Sequence, residues 1–254
     1  MDMMPQEFRL PAVNERAELR GVEVRTHLAA VVEFLLVSLL LAVSTPVIAL
    51  ACLLVRLTSR GPVLYTQVRL GRGGRLFTIY KIRTMYDKSE PNGAVWSVRG
   101  DRRVTPVGQF LRWTHVDELP QLINILRGEM SLVGPRPERP EIAAKLERVL
   151  PEHWRRLLVR PGLTGLAQVL RGPDADLTTV RQKLEIDLYY ADHRSLWLDL
   201  RIVLATGLHV FRVPSKIIAW TFGFPPDLIR PLDVPEISSI SAVNLPVSEA
   251  CTAG

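Results

Sequence analysis

Two cysteines are all that the 254 residues contain, Cys52 in an apolar stretch and Cys251 near the C-terminus. Neither has a second Cys or a His at ligand spacing, which argues against a zinc site and a disulfide framework. The redox compartment stays open, and a cytosolic active domain is compatible with this composition. The one dense glycine group, Gly71-Arg72-Gly73-Gly74, lacks the GxxxxGK[ST] and GxGxxG spacings. It therefore reads as a hairpin turn rather than a phosphate loop. Internal repeats are absent. Charge is missing altogether from Phe34 to Val55. No small-residue cleavage site follows that run, and a long charged leader precedes it, so a removed signal peptide fits poorly.

What is present is a basic chain of ordinary domain size. Lys and Arg number 32 against 26 Asp and Glu, a net charge of +6. The length allows one main domain with appendages. The basic excess suits anionic lipid, phosphorylated substrates or nucleic acid, or simply a solvated surface. A nucleic-acid-binding protein has no use for the apolar run, so nucleic acid is not expected as a partner.

The run from Phe34 to Val55 is long enough to cross a bilayer as a helix. Pro46 interrupts it, preceded by Ser44 and Thr45. Proline removes a backbone bond and crowds the preceding turn, and nearby hydroxyls can satisfy freed carbonyls. Both flanks are positive, with Arg25 before and Arg56, Arg60, Arg69 and Arg72 after, so the flanks do not choose a side. A spanning helix and a re-entrant one, bent at Thr45-Pro46, both remain open on these residues.

Beyond Gly61-Pro62, Val63 to Arg69 and Leu76 to Thr84 read as a β-hairpin. Lys81 and Arg83 lie two apart on one strand face, where they could clamp a diphosphate or end as exposed cations. Asp87 to Gly100 reads as loop. Leu119, Leu122, Ile123 and Leu126 recur at helical spacing up to Gly128, with Asp117 as a candidate N-cap and Pro120 in the first turn. Ser131 to Pro137 reads as a rigid turn presenting Arg136. Glu141 to Leu158 reads as amphipathic helix, with Ile142, Leu146, Leu157 and Leu158 opposite Lys145, Arg148, Arg155 and Arg156. It suits either core packing or a membrane interface. Leu177 to Tyr190 and Leu196 to Val210 read as helices, and Val234 to Gly254 as a disordered tail.

Taken in order, several stretches resemble the bacterial polyprenyl-phosphate phosphoglycosyl transferases of the monotopic type, the bacterial sugar transferase family. They are Gly61-Pro62-Val63-Leu64-Tyr65-Thr66-Gln67, Tyr80-Lys81-Ile82-Arg83-Thr84-Met85, Asp117-Glu118-Leu119-Pro120-Gln121-Leu122, and the run from Asn124 through Gly134-Pro135-Arg136-Pro137. Arg160-Pro161-Gly162-Leu163-Thr164-Gly165 and Ser195-Leu196-Trp197-Leu198-Asp199-Leu200 complete the set. The resemblance covers about His27 to Val213. It implies an α+β fold: a membrane-anchored, mostly helical domain with an N-terminal re-entrant helix and a small β-hairpin. The expected organisation is a flexible leader over 1–26, the re-entrant helix over 27–60, the catalytic domain over 61–213, and an extension with a disordered tail over 214–254. No further spans are expected, as in the minimal catalytic type.

The resemblance also implies a reaction. A sugar-1-phosphate passes from a nucleoside diphosphate sugar, usually a UDP-sugar, to undecaprenyl phosphate, and UMP is released. This is the first membrane step of exopolysaccharide or glycan assembly. Asp117 and Glu118 match the catalytic pair and the Mg²⁺ ligands, with Asp117 as nucleophile. Lys81, Arg83, Arg112, Arg136, Thr164 and Gln168 are the implied substrate contacts. The expected place is the bacterial inner membrane, with the catalytic domain on the cytoplasmic face and membrane lipid as a partner. A homo-oligomer is left open. Three departures stand out: Thr45 for the usual Ser before Pro46, Leu166 for the usual aromatic, and Gln168-Val169-Leu170-Arg171-Gly172 for the common Asn-Gly-Arg pattern. A membrane-tethered scaffold that has lost catalysis is the alternative function.

Overall fold

A computed structural model describes residues 27–87, 89, 101–171 and 177–230. The expected leader, most of the loop to Gly100, Gly172 and the tail after residue 230 lie outside the described residues. The apolar run forms a 32-residue helix, α1 (His27–Thr58). Its buried positions, Ala29, Glu33, Val37, Ala51 and Val55, fall on one stripe, as helical periodicity requires of a face that packs. The other faces expose large apolar side chains, among them Leu35, Leu39, Val43, Leu50 and Leu57.

Helix α1 continues across Pro46, so the interruption expected at Thr45-Pro46 does not appear as a gap in the helix. The neighbouring hydroxyls act locally but not as expected. Thr45 Oγ1 donates to the Leu41 carbonyl at 2.7 Å and Ser44 Oγ to the same carbonyl at 3.2 Å. The carbonyl that loses its partner to a proline at 46 is Ala42, four residues back. Packing helps to hold both halves: Val37 sits among Phe77, Ile79, Leu122, Ile125 and Met130, and Ala51 and Val55 sit against Ile82 and Leu111.

The hairpin forms as expected, from β1 (Leu64–Leu70) and β2 (Leu76–Ile82), antiparallel with Tyr65 opposite Lys81. Gly73 has φ of 66° inside the connecting turn, where glycine is at ease. Helix α2 (Pro106–Thr114) begins with Thr105 accepting from the Gly108 amide. A Cβ on Gly108 would collide with the Thr84 carbonyl, so glycine lets α2 lie directly on the chain leaving β2. A 3₁₀ turn (Val116–Gln121) leads into α3 (Leu122–Leu126).

A second, parallel pair was not foreseen: β3 (Ser131–Val133) beside β4 (Gly162–Thr164). A Cβ on Gly162 would collide with the Gly134 amide, so the two proline-flanked loops interlock backbone to backbone. Between them lie α4 (Pro140–Val149) and a 3₁₀ turn (His153–Leu158). Ile142 and Leu146 pack on Val180, which decides for core packing over the membrane interface in this segment. Arg156, expected on its outer side, is buried.

The main core gathers α5 (Leu166–Leu170), α6 (Leu177–Asp192), α7 (Leu196–Val210) and α8 (Ser215–Phe222). Val133, Leu166, Ile186, Tyr190, Ile202, Ile218 and Phe224 are buried together there. The core therefore reaches past residue 213, the boundary expected for the domain. Ile218 and Phe224 would otherwise expose apolar surface, and their burial holds α8 in place.

The tie between α1 and the domain includes one carboxylate. Glu33, 9% exposed, accepts from Ser131 Oγ at 2.7 Å and from the Leu132 amide at 2.8 Å. Glu33→Ala removes that shared acceptor and is expected to cost about 1–3 kcal/mol. In detergent-solubilised protein this should lower the melting temperature by several degrees, and Glu33→Gln, which keeps a carbonyl acceptor, by less. Equal melting temperatures for wild type and Glu33→Ala would show that the carboxylate does not secure the helix.

Candidate active site

The two candidate carboxylates sit in the tight turn between α2 and α3. Helix α2 closes with His115 in the left-handed region, φ 57°. The 3₁₀ turn starts at once, with Asp117 and Glu118 in it. Asp117 therefore does not act as the expected N-cap, and its side chain makes no capping bond to α3. His115 has already turned the chain, which leaves Asp117 inside the turn instead of in the extended conformation that a cap requires. Asp117 is 7% exposed.

Two cations from different parts of the chain meet Glu118. Lys81 Nζ, from β2, donates to Glu118 Oε1 at 2.7 Å. Arg136 Nη2, from the loop after β3, donates to the same oxygen at 2.7 Å. Burial alone would raise the Glu118 pKa, but Arg136 and Lys81 overcome it and hold the carboxyl well below its ordinary value. Arg136 in turn is raised, chiefly by Glu118. Lys81 is lowered, because burial outweighs the attraction of Glu118.

Asp117 behaves in the opposite way. Burial first, and the charge of Glu118 second, push it up to about 6, against the pull of Lys81, Arg112 and Arg136. Adjacent carboxylates are thus driven apart in proton affinity, as happens where environment assigns them different tasks. At neutral pH both are ionised. Arg112 contributes charge from α2 while its Nε donates to Thr84 Oγ1 at 2.8 Å.

The Arg136 loop is braced from behind. Arg156 Nη2 donates to the Arg136 carbonyl at 2.9 Å and pairs with Asp187 at 2.7 Å, and its Nη1 lies 3.3 Å from Glu138. Arg69 Nη1 donates to the Pro137 carbonyl at 3.0 Å. Asn124 ties the other side together: its Nδ2 donates to the Thr78 carbonyl and to Glu129 Oε2, both at 2.7 Å. Sequence reasoning missed Glu33, Asn124 and Arg156 in these supporting roles. Only Glu33 carried a visible signal, as an acid bordering an uncharged apolar run.

The other expected substrate contacts divide. Gln168 lines a small cavity with Arg136, Lys183 and Asp187, and its Oε1 is buried without a hydrogen-bond partner. Thr164 turns elsewhere, its Oγ1 2.7 Å from Thr206 Oγ1. Arg83 is also separated from Lys81. Its Nη1 donates to the Arg60 carbonyl at 2.6 Å, and its Nη2 to the Ser59 carbonyl at 3.0 Å and to Ser59 Oγ at 2.7 Å. Lys81 thus meets Arg136 at Glu118, while Arg83 is neither beside Lys81 nor an exposed strand end. Arg83 falls just past the end of β2, where the unpaired carbonyls after α1 recruit it.

Residues 24–213 match the family model described as bacterial sugar transferase. A UDP-N-acetylgalactosamine-undecaprenyl-phosphate N-acetylgalactosaminephosphotransferase of Aeromonas hydrophila is 44% identical over 187 residues, covering 74% of this chain and 42% of that protein. A UDP-glucose:undecaprenyl-phosphate glucose-1-phosphate transferase of Caulobacter vibrioides is 46% identical over 178 residues, covering 69% of this chain and 67% of the relative. The exopolysaccharide production protein PSS of Rhizobium leguminosarum is 41% identical over 172 residues, covering 65% and 86%. The matched part of the chain thus spans less than half of the Aeromonas relative.

The raised Asp117 carries a stability signature. Its proton is held more tightly in the folded state than in the unfolded one. The folded state therefore loses stability as pH rises from about 4 to about 6, and the penalty is full above that. Asp117→Asn removes this penalty. Relative to wild type, the variant is expected to gain roughly 1 kcal/mol between pH 5 and pH 7.5. Melting curves in EDTA at both pH values measure it. A stability difference that shrinks with rising pH would contradict the burial argument.

Proposed function

The chain belongs to the bacterial sugar transferase family, and on that premise we propose that it transfers a sugar-1-phosphate from a UDP-sugar to undecaprenyl phosphate. The observation that carries this reading is the pair itself: a buried carboxylate, Asp117, beside a carboxylate gripped by Lys81 and Arg136. The printed activities of the Aeromonas and Caulobacter relatives support the substrate classes.

Phosphoryl transfer is mainly a matter of placing anions and offsetting their charge. In the proposed route a carboxylate oxygen of Asp117 bonds to the sugar-bearing phosphorus. The bond from that phosphorus to the bridging oxygen of the diphosphate breaks, and UMP leaves with the electron pair. An oxygen of the lipid phosphate then bonds to the same phosphorus, and the Asp117 carboxylate departs. Two displacements divide one difficult transfer into two easier ones. Arg112 and Arg136 flank the pair and are suited to hold phosphate oxygens. Glu118, kept ionised far below its ordinary value, is a weak base, so an electrostatic or metal-holding task suits it better.

Mg²⁺ fits this donor set. It commonly binds through one or two carboxylates together with substrate phosphate oxygens. Asp117 and the second oxygen of Glu118 offer two carboxylates, and among the described residues no group of three or more His, Cys, Asp or Glu side chains forms a metal cluster. When bound there, the ion would offset charge on the transferring phosphoryl group.

Helix α1 is long and apolar enough to cross a membrane by length and composition. We propose a re-entrant placement, with both ends on the cytoplasmic face of the inner membrane and Thr45-Pro46 at the bend. Its ties to the domain support this. They run from Glu33, bonded to Ser131, to Ser59, bonded to Arg83, about 39 Å along a helix. A straight span would draw β2 and the carboxylate pair into a hydrocarbon layer only about 30 Å thick. The reading extends to the first membrane step of exopolysaccharide or glycan assembly.

The test is UMP release from a panel of UDP-sugars by purified protein with undecaprenyl phosphate and Mg²⁺. At least one sugar nucleotide should give lipid-dependent turnover. Asp117→Asn should lose about a thousandfold or more, and Glu118→Gln should be severely impaired. Turnover by Asp117→Asn near the wild-type rate would remove Asp117 from the chemistry. An inert wild type on every UDP-sugar would favour the scaffold alternative.

A further inference from the structure

Arg112, whose charge acts on Asp117, also lines a cavity of about 380 Å³ together with Trp113, His115, His209, Arg212 and neighbouring α5 and α7 residues. Among the described residues no carboxylate lines it. The wall also includes Arg171, but that guanidinium is tied to the segment after α8, donating to the Leu228 and Arg230 carbonyls at 3.1 and 2.8 Å.

The backbone of the lining is unusual. Among the described residues, only two that are not glycine have positive φ, His115 at 57° and Arg212 at 60°. Both line this cavity. Each follows a helix end, α2 and α7, where glycine would make the same turn without steric cost. Cations near helix C-termini do balance exposed carbonyls, but that balance can be met from positions with ordinary backbone angles. Left-handed residues other than glycine persist where a side chain is needed at that point.

The rim is apolar on one side. Trp113 is half exposed, and Phe110 lies beside it with ring centroids 6.0 Å apart. Phe211, next to Arg212, is 82% exposed. Helix α2, which carries Phe110 and Trp113, packs its Leu111 on Ala51 and Val55 of α1. Arg112 and Arg212 thus share this lining with the exposed ring of Trp113, which stands with Phe110 on a helix that touches the apolar α1.

We propose that this cavity seats the phosphate monoester of a lipid, with Arg112, His115, His209 and Arg212 around the head and the first apolar units of the chain across Trp113, Phe110 and Phe211. A sugar nucleotide has no apolar chain to cover those rings. The cavity lined by Arg136 and Gln168, about 40 Å³, has room for little more than a water and does not compete for the lipid head. This assignment rests on the transfer reading for its biological meaning, because it names where the lipid acceptor waits next to Asp117.

The discriminating variant is Arg212→Gly. Glycine accepts φ near 60° freely, so the substitution removes the charge while easing the backbone. Binding to the full-length protein in detergent micelles is measured for farnesyl phosphate, farnesol and inorganic phosphate by tryptophan fluorescence. Farnesyl phosphate should bind most tightly. Arg212→Gly should weaken it about tenfold or more, the worth of a hydrogen bond to a charged group, and Arg212→Lys should largely retain it. In turnover assays, Arg212→Gly should raise KM for undecaprenyl phosphate by a similar factor and KM for the UDP-sugar little. Farnesyl phosphate binding no tighter than inorganic phosphate would make this a free-phosphate site and overturn the proposal. An unchanged affinity in Arg212→Gly, or a rise confined to the UDP-sugar KM, would overturn it as well. If the wild type turns over no UDP-sugar, the transfer reading fails, while the binding measurements still decide the cavity.

Discussion

One glutamate oxygen holds the candidate site together. Lys81 and Arg136 both donate to Glu118 Oε1, and these three residues come from β2, from the loop after β3 and from the turn between α2 and α3. Removing Glu118 leaves two neighbouring cations without their shared counter-charge, which is costly. The same grip decides the proton affinities. With Glu118 locked in its ionised form, the neighbouring Asp117 feels an adjacent negative charge in addition to its own burial, and it is pushed up to about 6. The result is two ionised carboxylates with unequal basicity, produced by packing and not by residue type.

Much of the remaining fold can be understood as support for that arrangement. Glycines let backbones approach where side chains would collide: Gly108 on Thr84, and Gly134 against Gly162. The second contact brings the Gly-Pro-Arg-Pro loop beside the Arg-Pro-Gly loop, and Arg156 and Arg69 then fix the Arg136 and Pro137 carbonyls, which follow the Arg136 side chain. Glu33 fastens the strand that precedes Arg136 to the apolar helix. The helix and the pair are therefore parts of one packed unit, and the depth of the helix in a lipid layer would set the depth of the pair.

The sequence made some of this readable and hid the rest for physical reasons. Period-two and helical patterns located the hairpin and the helices Leu177–Asp192 and Leu196–Val210, because one face of each element is buried. The three-residue parallel pair β3 and β4 was invisible, since segments that short carry no period. Lys81 and Arg83 look equivalent on a strand, yet Lys81 meets Glu118 and Arg83 meets the carbonyls after α1. Alternation gives a shared face only as far as the strand extends, and β2 ends at Ile82. Arg156 appeared to belong on a solvated face, because its partners Glu138 and Asp187 are distant in sequence. Resemblance gave the Asp117-Glu118 pair its catalytic role. Its unequal basicity needed the folded chain.

The central claim is that Asp117 forms a bond to the transferred phosphorus. Intact-mass spectrometry of the purified protein, incubated with an accepted UDP-sugar and Mg²⁺ but no lipid, tests it most directly. The account predicts a protein heavier by one phosphosugar, with the added mass on the peptide containing Asp117, and its disappearance when undecaprenyl phosphate is supplied. Unmodified protein that turns over only with both substrates present would contradict it, and would assign the attack on the sugar nucleotide to the lipid phosphate.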